Sequence, residues 1–391
     1  MRPAVYLNSE KQHTIQRGHP WIFPKAISKT KGKLKTGQLI DILDSNDELL
    51  GVGAYNEYSL YRVRVLAQAW ELPTLVDLTH IIQLRLAQAI AVRKALNLPN
   101  ELTNAFRLFN SEADGLSGLT IDYFNKIVVV ASSAFWVEAH KTEISAIIQK
   151  IIDCEQLIWF AQPKPLKQDG WEVSEDDFKL DLAIDVLEAG IIYHVNFAQA
   201  QKTGLFLDQR ENHQRIAQLA HAKRVLDLYT YTGGFALHAA HAGATKIVAV
   251  DSSAAAIEQA KLNASKNKLN NIEFIEGDAR DYLSHAKDYD LIVLDPPKLV
   301  PSQKHLQKAK NYYRFLHREV FKAMQSGALL MTCNCSAALS TQEFINLVQA
   351  QALAVNRQLR ILGTFGPASC HPTLPSFPEG NYLTAVLVAI V

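Results

Sequence analysis

The sequence predicts an α/β protein whose C-terminal half is a parallel, doubly wound sheet, preceded by a small β-rich domain and an α+β middle domain. From about residue 191, short apolar strands alternate with helical stretches, as in sheets built from right-handed crossovers. Residues 39–66 instead contain short strand-like runs with glycines between them, which is typical of compact barrels. A chain of 391 residues is long for one domain, so two or three are expected.

Composition sets the broad class of the protein. Hydrophobic residues make up 48% and charged residues 20% of the chain, which is ordinary for a globular protein with a sizeable core. The apolar runs are far shorter than a membrane span, and the N-terminus has no apolar segment typical of a signal peptide. Four cysteines are too few for a disulfide framework in a chain of this length. We therefore expect a cytoplasmic protein with no membrane contact.

Charge is unevenly distributed along the chain. The net charge is only +1, but the first 38 residues contain one acidic residue and eight basic ones. The basic residues are Arg2, Lys11, Arg17, Lys25, Lys29, Lys31, Lys33 and Lys35. Such a patch attracts phosphate and predicts salt-dependent binding of nucleic acid. A solvated surface without a binding function is equally consistent with the charge alone.

The first two domains are predicted at residues 1–72 and 73–190. In the first, strand candidates are residues 39–43, 49–55 and 61–66, separated by turn chemistry. In the second, helices are expected at 75–96 and 138–152, strands at 127–131 and 157–160, and a polar loop at 163–180.

The third domain is predicted at residues 191–391. Its strand candidates are residues 224–229, 246–251, 272–276, 290–295, 328–333 and 384–390. Its helix candidates are residues 234–242, 254–267, 308–324 and 341–354. This alternation is the basis for the doubly wound sheet.

A glycine-containing turn joins the first strand of this domain to the first helix. The strand ends at Asp227, and Tyr229, Thr232 and Gly233 lie in the turn that follows. Glycine at a strand-to-helix turn lets the backbone approach a ligand closely. We therefore predict that these residues bind a cofactor.

Two further strands end in acidic residues. Asp251 ends the second strand, where an acidic residue commonly holds the ribose hydroxyls of a cofactor. Asp278 and Ala279 follow the third strand, in a position suited to an adenine edge. Phosphate-binding glycine motifs are absent from the sequence. A cofactor with adenosine and no pyrophosphate is therefore expected, namely S-adenosylmethionine.

The fourth and fifth strands end in residues that can act on a pyrimidine. Asp295, followed by Pro296-Pro297-Lys298, ends the fourth strand, and Cys335 lies just past the fifth. If these strands are neighbours, both side chains face one cleft, because ligands bind outside the carboxyl ends of such strands. A thiolate adding to C6 makes C5 able to accept a methyl group, and Asp295 can hydrogen-bond N3.

Other interpretations of these motifs remain open. Cys333 and Cys335 form a Cys-x-Cys pair, for which simple packing is expected first and a zinc site second; no second Cys/His pair supports zinc. Asp-Pro-Pro is also compatible with methyl transfer to an exocyclic amine, and Cys335 would then be structural.

The chain resembles the bacterial family of large-subunit ribosomal RNA (cytosine-C5) methyltransferases with an N-terminal PUA domain. The resemblance covers nearly the whole chain. It rests on residues 17–23 (RGHPWIF), 51–56 (GVGAYN), 112–119 (EADGLSGL), 202–212 (KTGLFLDQREN), 231–235 (YTGGF), 295–298 (DPPK), 335–336 (CS) and 378–380 (PEG).

This resemblance implies a PUA barrel, a small α+β domain and a class I methyltransferase domain. It implies S-adenosylmethionine as donor, large-subunit (23S) ribosomal RNA as substrate and Cys335 as nucleophile. It also implies that Phe206, Asp208, Gln209 and Arg210 lie over the cofactor site. No metal is expected, and the target nucleotide and the oligomeric state, a homodimer included, stay open.

Two other functions are weighed against this one. The first is methylation of a guanine nitrogen in ribosomal RNA, and the second is a non-catalytic RNA-binding assembly factor. Stacking on an unpaired base is conceivable for several aromatic side chains, each of which is also a candidate for core packing. These side chains are Tyr229, Tyr231, Phe235 and Phe377.

Overall fold

The computed structural model describes residues 2–72, 77–173, 182–197, 205–299 and 306–391. These residues form two compact units, the first from residues 1–183, 195–205 and 370–380 and the second from residues 184–194, 206–369 and 381–391. Residues 202–204 of the 202–212 segment that carries part of the family resemblance, and residues 174–180 of the predicted loop, lie outside the described residues. The predicted domain bounds stay a prediction. None of the described helices is long and apolar enough to cross a bilayer.

The first unit begins with a six-stranded sheet. Its elements are β1 (Ala4–Leu7), α1 (Gln12–Gln16), β2 (Trp21–Ile22), β3 (Ile27–Lys31), β4 (Leu39–Leu43), β5 (Leu49–Tyr55) and β6 (Val63–Gln68). The strand order is β2-β6-β5-β4-β1-β3, and only β1 and β4 pair in parallel. All six strands contribute side chains to one apolar core, as in a barrel. The predicted strands at 39–43 and 49–55 are confirmed, whereas β1 to β3 were not predicted.

A four-stranded sheet with helices completes the first unit. Its elements are α2 (Leu78–Ala95), β7 (Ala105–Asn110), β8 (Leu119–Phe124), β9 (Ile127–Ser132), α3 (Phe135–Ala139), α4 (Lys141–Ile151), β10 (Gln156–Ala161) and α5 (Pro163–Gln168). The strand order is β10-β9-β8-β7. The prediction of a loop from residue 163 is wrong for α5. Proline is tolerated in the first helical turn because the N–H that it lacks would have no partner there.

Residues 370–380 pack within the first unit, although they come late in the chain. The buried Arg93 makes two hydrogen bonds of 2.8 and 2.7 Å to Asp114 and a third, of 2.7 Å, to the carbonyl of Cys370. Phe377 packs edge-on against Trp21 at 4.5 Å between ring centroids, and Trp21 stacks on Tyr61 at 3.9 Å. A buried guanidinium is stable only when its donors are paired, so Arg93 anchors this segment.

The second unit contains a seven-stranded sheet and a separate hairpin. The hairpin is β11 (Ala183–Glu188) and β12 (Ile191–Asn196), and α6 (Arg210–Ala220) follows. The sheet and its helices are β13 (Arg224–Leu228), α7 (Gly234–His241), β14 (Lys246–Asp251), α8 (Ala254–Lys266), β15 (Ile272–Glu276), β16 (Leu291–Leu294), α9 (Leu306–Ala323), β17 (Leu329–Asn334), α10 (Thr341–Leu353), β18 (Leu359–Phe365) and β19 (Thr384–Ile390). The strand order is β15-β14-β13-β16-β17-β19-β18.

Helices cover both faces of this sheet, which confirms the doubly wound architecture. Alternate strand residues face opposite sides because the side-chain period of a strand is two. Leu226 and Leu228 therefore lie in one core with α9 and α10. Val225 lies in the other core with α6 and α7. Strands buried on both faces read as continuous apolar runs, which is why the sequence revealed them.

The sheet departs from the prediction at one edge. β19 was expected among parallel strands, but it runs antiparallel to both β17 and β18. β18 was not predicted, because this edge strand is largely exposed and lacks a continuous apolar run. α6 was also missed, since few of its residues are apolar.

Candidate active site

The turn between β13 and α7 has an unusual backbone. Tyr229, Tyr231 and Gly233 have φ values of +67°, +52° and +90°, in a region that costs free energy for residues other than glycine. Backbone hydrogen bonds hold the turn, from Thr230 N–H to the carbonyl of Val250 at 3.0 Å and from Gly233 N–H to that of Thr230 at 2.9 Å. The surrounding structure therefore stabilises a sharp turn at the carboxyl end of β13, an interior strand of the sheet.

Asp227 lies beneath this turn and supports it. Its side chain is buried, and one carboxylate oxygen accepts hydrogen bonds from the Thr230 hydroxyl at 2.6 Å and the Ala236 backbone N–H at 3.0 Å. Burial raises the pKa of Asp227 to about 6, although both hydrogen bonds oppose the shift. The carboxylate thus joins the turn to the first turn of α7.

Asp251 ends β14 and also contacts the turn. Its two carboxylate oxygens accept hydrogen bonds of 2.9 Å from the backbone N–H groups of Tyr231 and Ser253. Because each oxygen has a second lone pair and the residue is only half-buried, it can still accept hydrogen bonds from a diol. Thr232 is buried, and its carbonyl accepts a hydrogen bond of 3.2 Å from the Asn263 amide.

Asp278 and Ala279 begin a 3-10 helix at the end of β15. The Asp278 carboxylate accepts a hydrogen bond of 2.9 Å from the Arg280 N–H and pairs with the Arg280 guanidinium. This pairing lowers the pKa of Asp278. Ala279 is buried. The predicted site for an adenine edge therefore lies beside an ion pair.

Residues 206–210 bring four predicted site residues to the same edge of the sheet. The exposed Phe206 ring packs edge-on against Tyr231 at 5.0 Å between centroids. Asp208 accepts a hydrogen bond of 2.8 Å from the Tyr382 hydroxyl. Arg210 begins α6 and is buried, 3.4 Å from the Glu211 carboxylate.

Gln209 connects this segment to the fourth strand of the sheet. Its amide N–H donates to Asp295 at 2.9 Å, and its carbonyl accepts from the Asn212 amide at 2.7 Å. Since Gln209 is buried, these hydrogen bonds fix its orientation. No local pattern indicated this contact, which joins residues 86 positions apart.

Asp295 and Cys335 lie at the ends of neighbouring parallel strands, β16 and β17. The Cys335 thiol lies 3.8 Å from the carbonyl oxygen of Pro296, the residue after Asp295. Burial raises the pKa of Asp295 to about 7, and the negative charge of Asp208 adds to the shift. The hydrogen bond from Gln209 opposes it. A carboxyl group with this pKa is present in both protonation states near neutrality.

The two cysteines of the Cys-x-Cys pair have different environments. Cys333 is fully buried in the core with α6 and α7, and burial followed by the nearby charge of Asp295 raises the pKa of its thiol. Cys335 is partly exposed. A thiol must be accessible and able to ionise to act as a nucleophile. Of these two cysteines, Cys335 therefore suits chemistry and Cys333 suits packing.

Asn334, between the cysteines, was not predicted as a site residue. It is buried, and its amide donates to the carbonyls of Ser336 and Leu339 at 3.2 and 3.0 Å. Its carbonyl oxygen accepts from the Tyr313 hydroxyl at 3.3 Å. These bonds hold the loop that contains Cys335. The only sequence signal that could have indicated this is the position of Asn334 between the two cysteines.

The aromatic candidates for base stacking divide into two pairs. Phe235 and Phe377 are buried, which favours core packing for both. Tyr229 and Tyr231 are half-buried, and the Tyr229 hydroxyl is hydrogen-bonded to that of Tyr312 at 2.9 Å.

Comparisons with known proteins identify both parts of the chain. Residues 5–68 match the family model of a PUA-like domain, and residues 171–360 match that of S-adenosylmethionine-dependent methyltransferases. The chain is 31% identical to ribosomal RNA large subunit methyltransferase I of Alteromonas mediterranea, over 100% of this chain and 99% of that protein. It is 32% identical to the protein of the same name from Tolumonas auensis, with both chains fully covered.

Solved structures agree on the fold. A methyltransferase candidate from Streptococcus mutans is 20% identical, covers 99% of each chain and superposes with a TM-score of 0.80. A second structure, SMU.776 in complex with SAH, has the same identity and coverage and a TM-score of 0.82. The predicted class I methyltransferase fold with an N-terminal PUA-like domain is therefore confirmed.

The residues present fit the predicted cofactor. The turn at residues 229–233 follows β13, and the half-buried Asp251 retains lone pairs for a ribose. With a PUA-like domain, a methyltransferase domain and S-adenosylmethionine as its cofactor, the chain belongs to the family of ribosomal RNA large subunit methyltransferase I.

Proposed function

We propose that this protein methylates carbon 5 of a cytosine in large-subunit ribosomal RNA, with Cys335 as nucleophile and Asp295 as acid. The RNA class follows the name of its relatives. The observation that carries the choice of base is the position of Cys335 and Asp295 at the ends of neighbouring strands. In that arrangement the thiol can add to C6 while the carboxylic acid faces N3 of the same ring.

Cys335 activates the base in this proposal. Its thiolate adds to C6, forming an S–C bond, and the electron pair of the C5–C6 double bond shifts into the ring towards N3. C5 then becomes electron-rich enough to accept a methyl group. When bound, S-adenosylmethionine supplies that methyl group on a positively charged sulfur. Loss of the C5 proton to a base finally restores the double bond and expels the Cys335 thiolate.

Asp295 stabilises the charge that develops at N3. Because its pKa is raised to about 7, a substantial fraction is protonated at neutral pH. The carboxylic acid can therefore donate a proton to N3 as Cys335 adds, and it can recover that proton on elimination. Gln209 donates a hydrogen bond of 2.9 Å to one carboxyl oxygen of Asp295 and so fixes the orientation of the group.

The remaining predicted residues would bind the cofactor. We assign ribose hydroxyls to Asp251, whose oxygens keep free lone pairs. The methionine part of S-adenosylmethionine would lie against the turn that contains Tyr229, Thr232 and Gly233 and that Asp227 supports. The other members of the proposed set, which line the edge of the site, are Phe206, Asp208, Gln209, Arg210, Asp278, Ala279 and Asp295.

The test is a product analysis. Purified protein is incubated with S-adenosylmethionine and ribosomal RNA from a host that lacks the gene, and the RNA is digested to nucleosides and examined by mass spectrometry. We expect 5-methylcytidine. A methylguanosine would instead support chemistry at a guanine nitrogen, and no methylated product in either free RNA or ribosomal particles would support a non-catalytic assembly factor.

Replacing Asp251 with alanine should weaken cofactor binding. Hydrogen bonds to a charged group contribute about 1.5–3 kcal/mol, so we expect the Kd for S-adenosylmethionine to rise by roughly 10- to 100-fold. Isothermal titration calorimetry measures this. Asp290→Ala is the matched control, because Asp290 precedes β16 and pairs with Arg224 at the opposite ends of the strands. Equal losses in both variants would contradict the assignment.

The basic N-terminal patch should contribute salt-dependent affinity for RNA. Lys29, Lys31, Lys33 and Lys35 are all exposed. Replacing all four with glutamine should reduce the slope of log K against log salt concentration by up to about 3, since each phosphate contact on a single strand contributes about 0.7. Fluorescence anisotropy at several salt concentrations measures the slope.

A control for this experiment changes the net charge equally elsewhere. Lys261, Lys268, Lys287 and Lys322 are exposed residues of the second unit, and their replacement with glutamine should leave the slope nearly unchanged. If both quadruple variants lower the slope by the same amount, the patch has no specific role in RNA binding.

A further inference from the structure

Three buried side chains of metal-binding type converge in the second unit. Glu188 ends β11 directly before the hairpin turn, His213 lies in α6 and His238 lies in α7. All three are buried, and their ligand atoms lie within 4.8 Å of one another. No other group of three such side chains occurs among the residues that the structure describes. Nothing in the proposed methylation mechanism uses this cluster.

One carboxylate oxygen of Glu188 faces both histidine rings. His213 Nδ1 lies 2.7 Å and His238 Nε2 lies 3.2 Å from Glu188 Oε1. These two nitrogens and this oxygen come from three separate elements and converge on one point, as the ligands of a single cation do.

Charge also favours a cation at this position. The two imidazole rings stack at 5.4 Å between centroids, so two imidazolium charges would repel each other. Glu188 and the neighbouring Asp227 are both buried carboxyl groups, and isolated buried charges are costly unless they are paired or bind a metal. One divalent cation with neutral imidazoles would balance both carboxylates.

Two further buried atoms near the cluster lack a hydrogen-bond partner among the described residues. They are the hydroxyl of Tyr193 and one carboxylate oxygen of Asp227. The Tyr193 ring stacks against His238 at 6.4 Å between centroids. Such atoms normally bind a water molecule or an ion.

We propose that Glu188, His213 and His238 bind a divalent transition-metal ion of the zinc type. Zinc readily binds two imidazole nitrogens and one carboxylate oxygen, whereas magnesium and calcium favour oxygen ligands. A water molecule or the Tyr193 hydroxyl completes a four-coordinate site. The ion joins the hairpin of β11 and β12 to α6 and α7, and α7 follows the cofactor turn directly. The ion therefore stabilises the hairpin and the two helices that hold the cofactor turn in place.

Gly234 shows how closely the site is packed. A Cβ atom at this position would lie 2.5 Å from His213 Nε2, which is too close for any real contact. The first residue of α7 must therefore be glycine for His213 to keep its position beside Glu188.

The experiment measures metal content in the full-length protein. The chain is stripped with a chelator, incubated with zinc chloride, desalted and examined by inductively coupled plasma mass spectrometry. We expect about one zinc ion per chain for the wild type and a background level for His238→Gln and for Glu188→Gln. His241→Gln is the matched control, because His241 lies in the same helix and is exposed; it should retain the ion.

Two readouts that are independent of enzymatic activity accompany the measurement. Zinc should raise the Tm of the wild type and of His241→Gln but leave that of His238→Gln unchanged. Cobalt substitution should give the visible absorption of a four-coordinate site in the wild type. Even if a ligand variant fails to fold, the wild-type stoichiometry and cobalt spectrum decide the question.

Background zinc in the wild type would overturn the proposal, and so would equal zinc content in folded His238→Gln. The cluster would then be a hydrogen-bonded pair of Glu188 and His213 with a water molecule beside His238. Loss of zinc in His241→Gln alone would place the ion on the outer face of α7 and would also overturn it. Since none of these readouts uses RNA, failure here is distinguishable from failure of the proposed methylation.

Discussion

Replacing Cys335 with alanine should abolish formation of 5-methylcytidine, with a loss of at least about 10³-fold in rate, as is usual when a covalent nucleophile is removed. Without the Sγ–C6 bond, C5 of cytosine stays too electron-poor to accept a methyl group. Cofactor affinity should not change, because hydrogen bonds to the carboxylates of Asp227 and Asp251 hold the turn at residues 229–233. Nucleoside mass spectrometry measures the product, and calorimetry with S-adenosylmethionine measures the affinity.

Cys154→Ala is the control for this variant. Cys154 is partly buried in the first unit, where its thiol lies 3.1 Å from the carbonyl of Gln156, and its replacement should leave the product unchanged. Cys333 is unsuitable as a control because it is fully buried beside Asp295. Methylation that persists in Cys335→Ala would show that Cys335 is structural, and chemistry at a nitrogen would then be the better interpretation.

A trapping experiment tests the covalent step directly. RNA that contains 5-fluorocytosine cannot lose a proton from C5 after methyl transfer, so the elimination that frees the cysteine is blocked. The wild type should therefore form a stable adduct with such RNA, visible by denaturing electrophoresis and assigned to Cys335 by mass spectrometry. Cys335→Ala should form none.

The second large effect is expected for Asp295→Asn. Asparagine keeps the size of the side chain and can still accept the hydrogen bond from Gln209, but it cannot transfer a proton to N3. We expect kcat to fall by about 10²- to 10⁴-fold, the usual contribution of a general acid. A loss of less than about threefold, measured with saturating RNA and cofactor, would contradict the acid role.

The pH dependence of activity follows from the raised pKa of Asp295. In the wild type, the protonated acid is lost as pH rises through about 7, so kcat/KM should decline on the alkaline side of neutrality while the thiol favours higher pH. The profile should be bell-shaped. In Asp295→Asn the alkaline decline should disappear, because no group at this position then titrates.

Stability should show the same titration with a defined sign. The folded pKa of Asp295, about 7, lies above the model value of 3.8, so the folded state binds the proton more tightly than the unfolded state. Its stabilising effect is complete below about pH 4 and is lost as pH rises through about 7. Asp295→Asn should therefore gain stability relative to the wild type between pH 5 and 8, and urea unfolding across this range measures the difference.

Much of the methyltransferase sheet could be predicted from local sequence. Strands rich in apolar residues are recognisable in the sequence, and β14, β15 and β19 have the bounds that were predicted. The strand ends were equally visible, because Asp251 and Asp295 directly follow apolar runs and Cys335 lies just past another. Since parallel strands place their carboxyl ends at one edge, the sequence predicted that Asp295 and Cys335 face one cleft if their strands are neighbours.

Elements with weak local patterns were not predictable. β18 is an exposed edge strand and α6 has few apolar residues. Neither segment therefore shows a clear hydrophobic periodicity in the sequence. Both form because the rest of the sheet provides a surface on which they pack, and tertiary context overrides weak propensity.

The sequence by itself determined which residues can do chemistry and at which strand ends they lie. Only the tertiary structure decided that β16 and β17 are neighbours, that β19 runs antiparallel, that Gln209 bonds Asp295, and that Glu188 meets His213 and His238. The physical reason is sequence distance. A strand or turn reflects interactions within a few residues, whereas strand order and buried polar clusters join residues tens of positions apart through packing that no local pattern encodes.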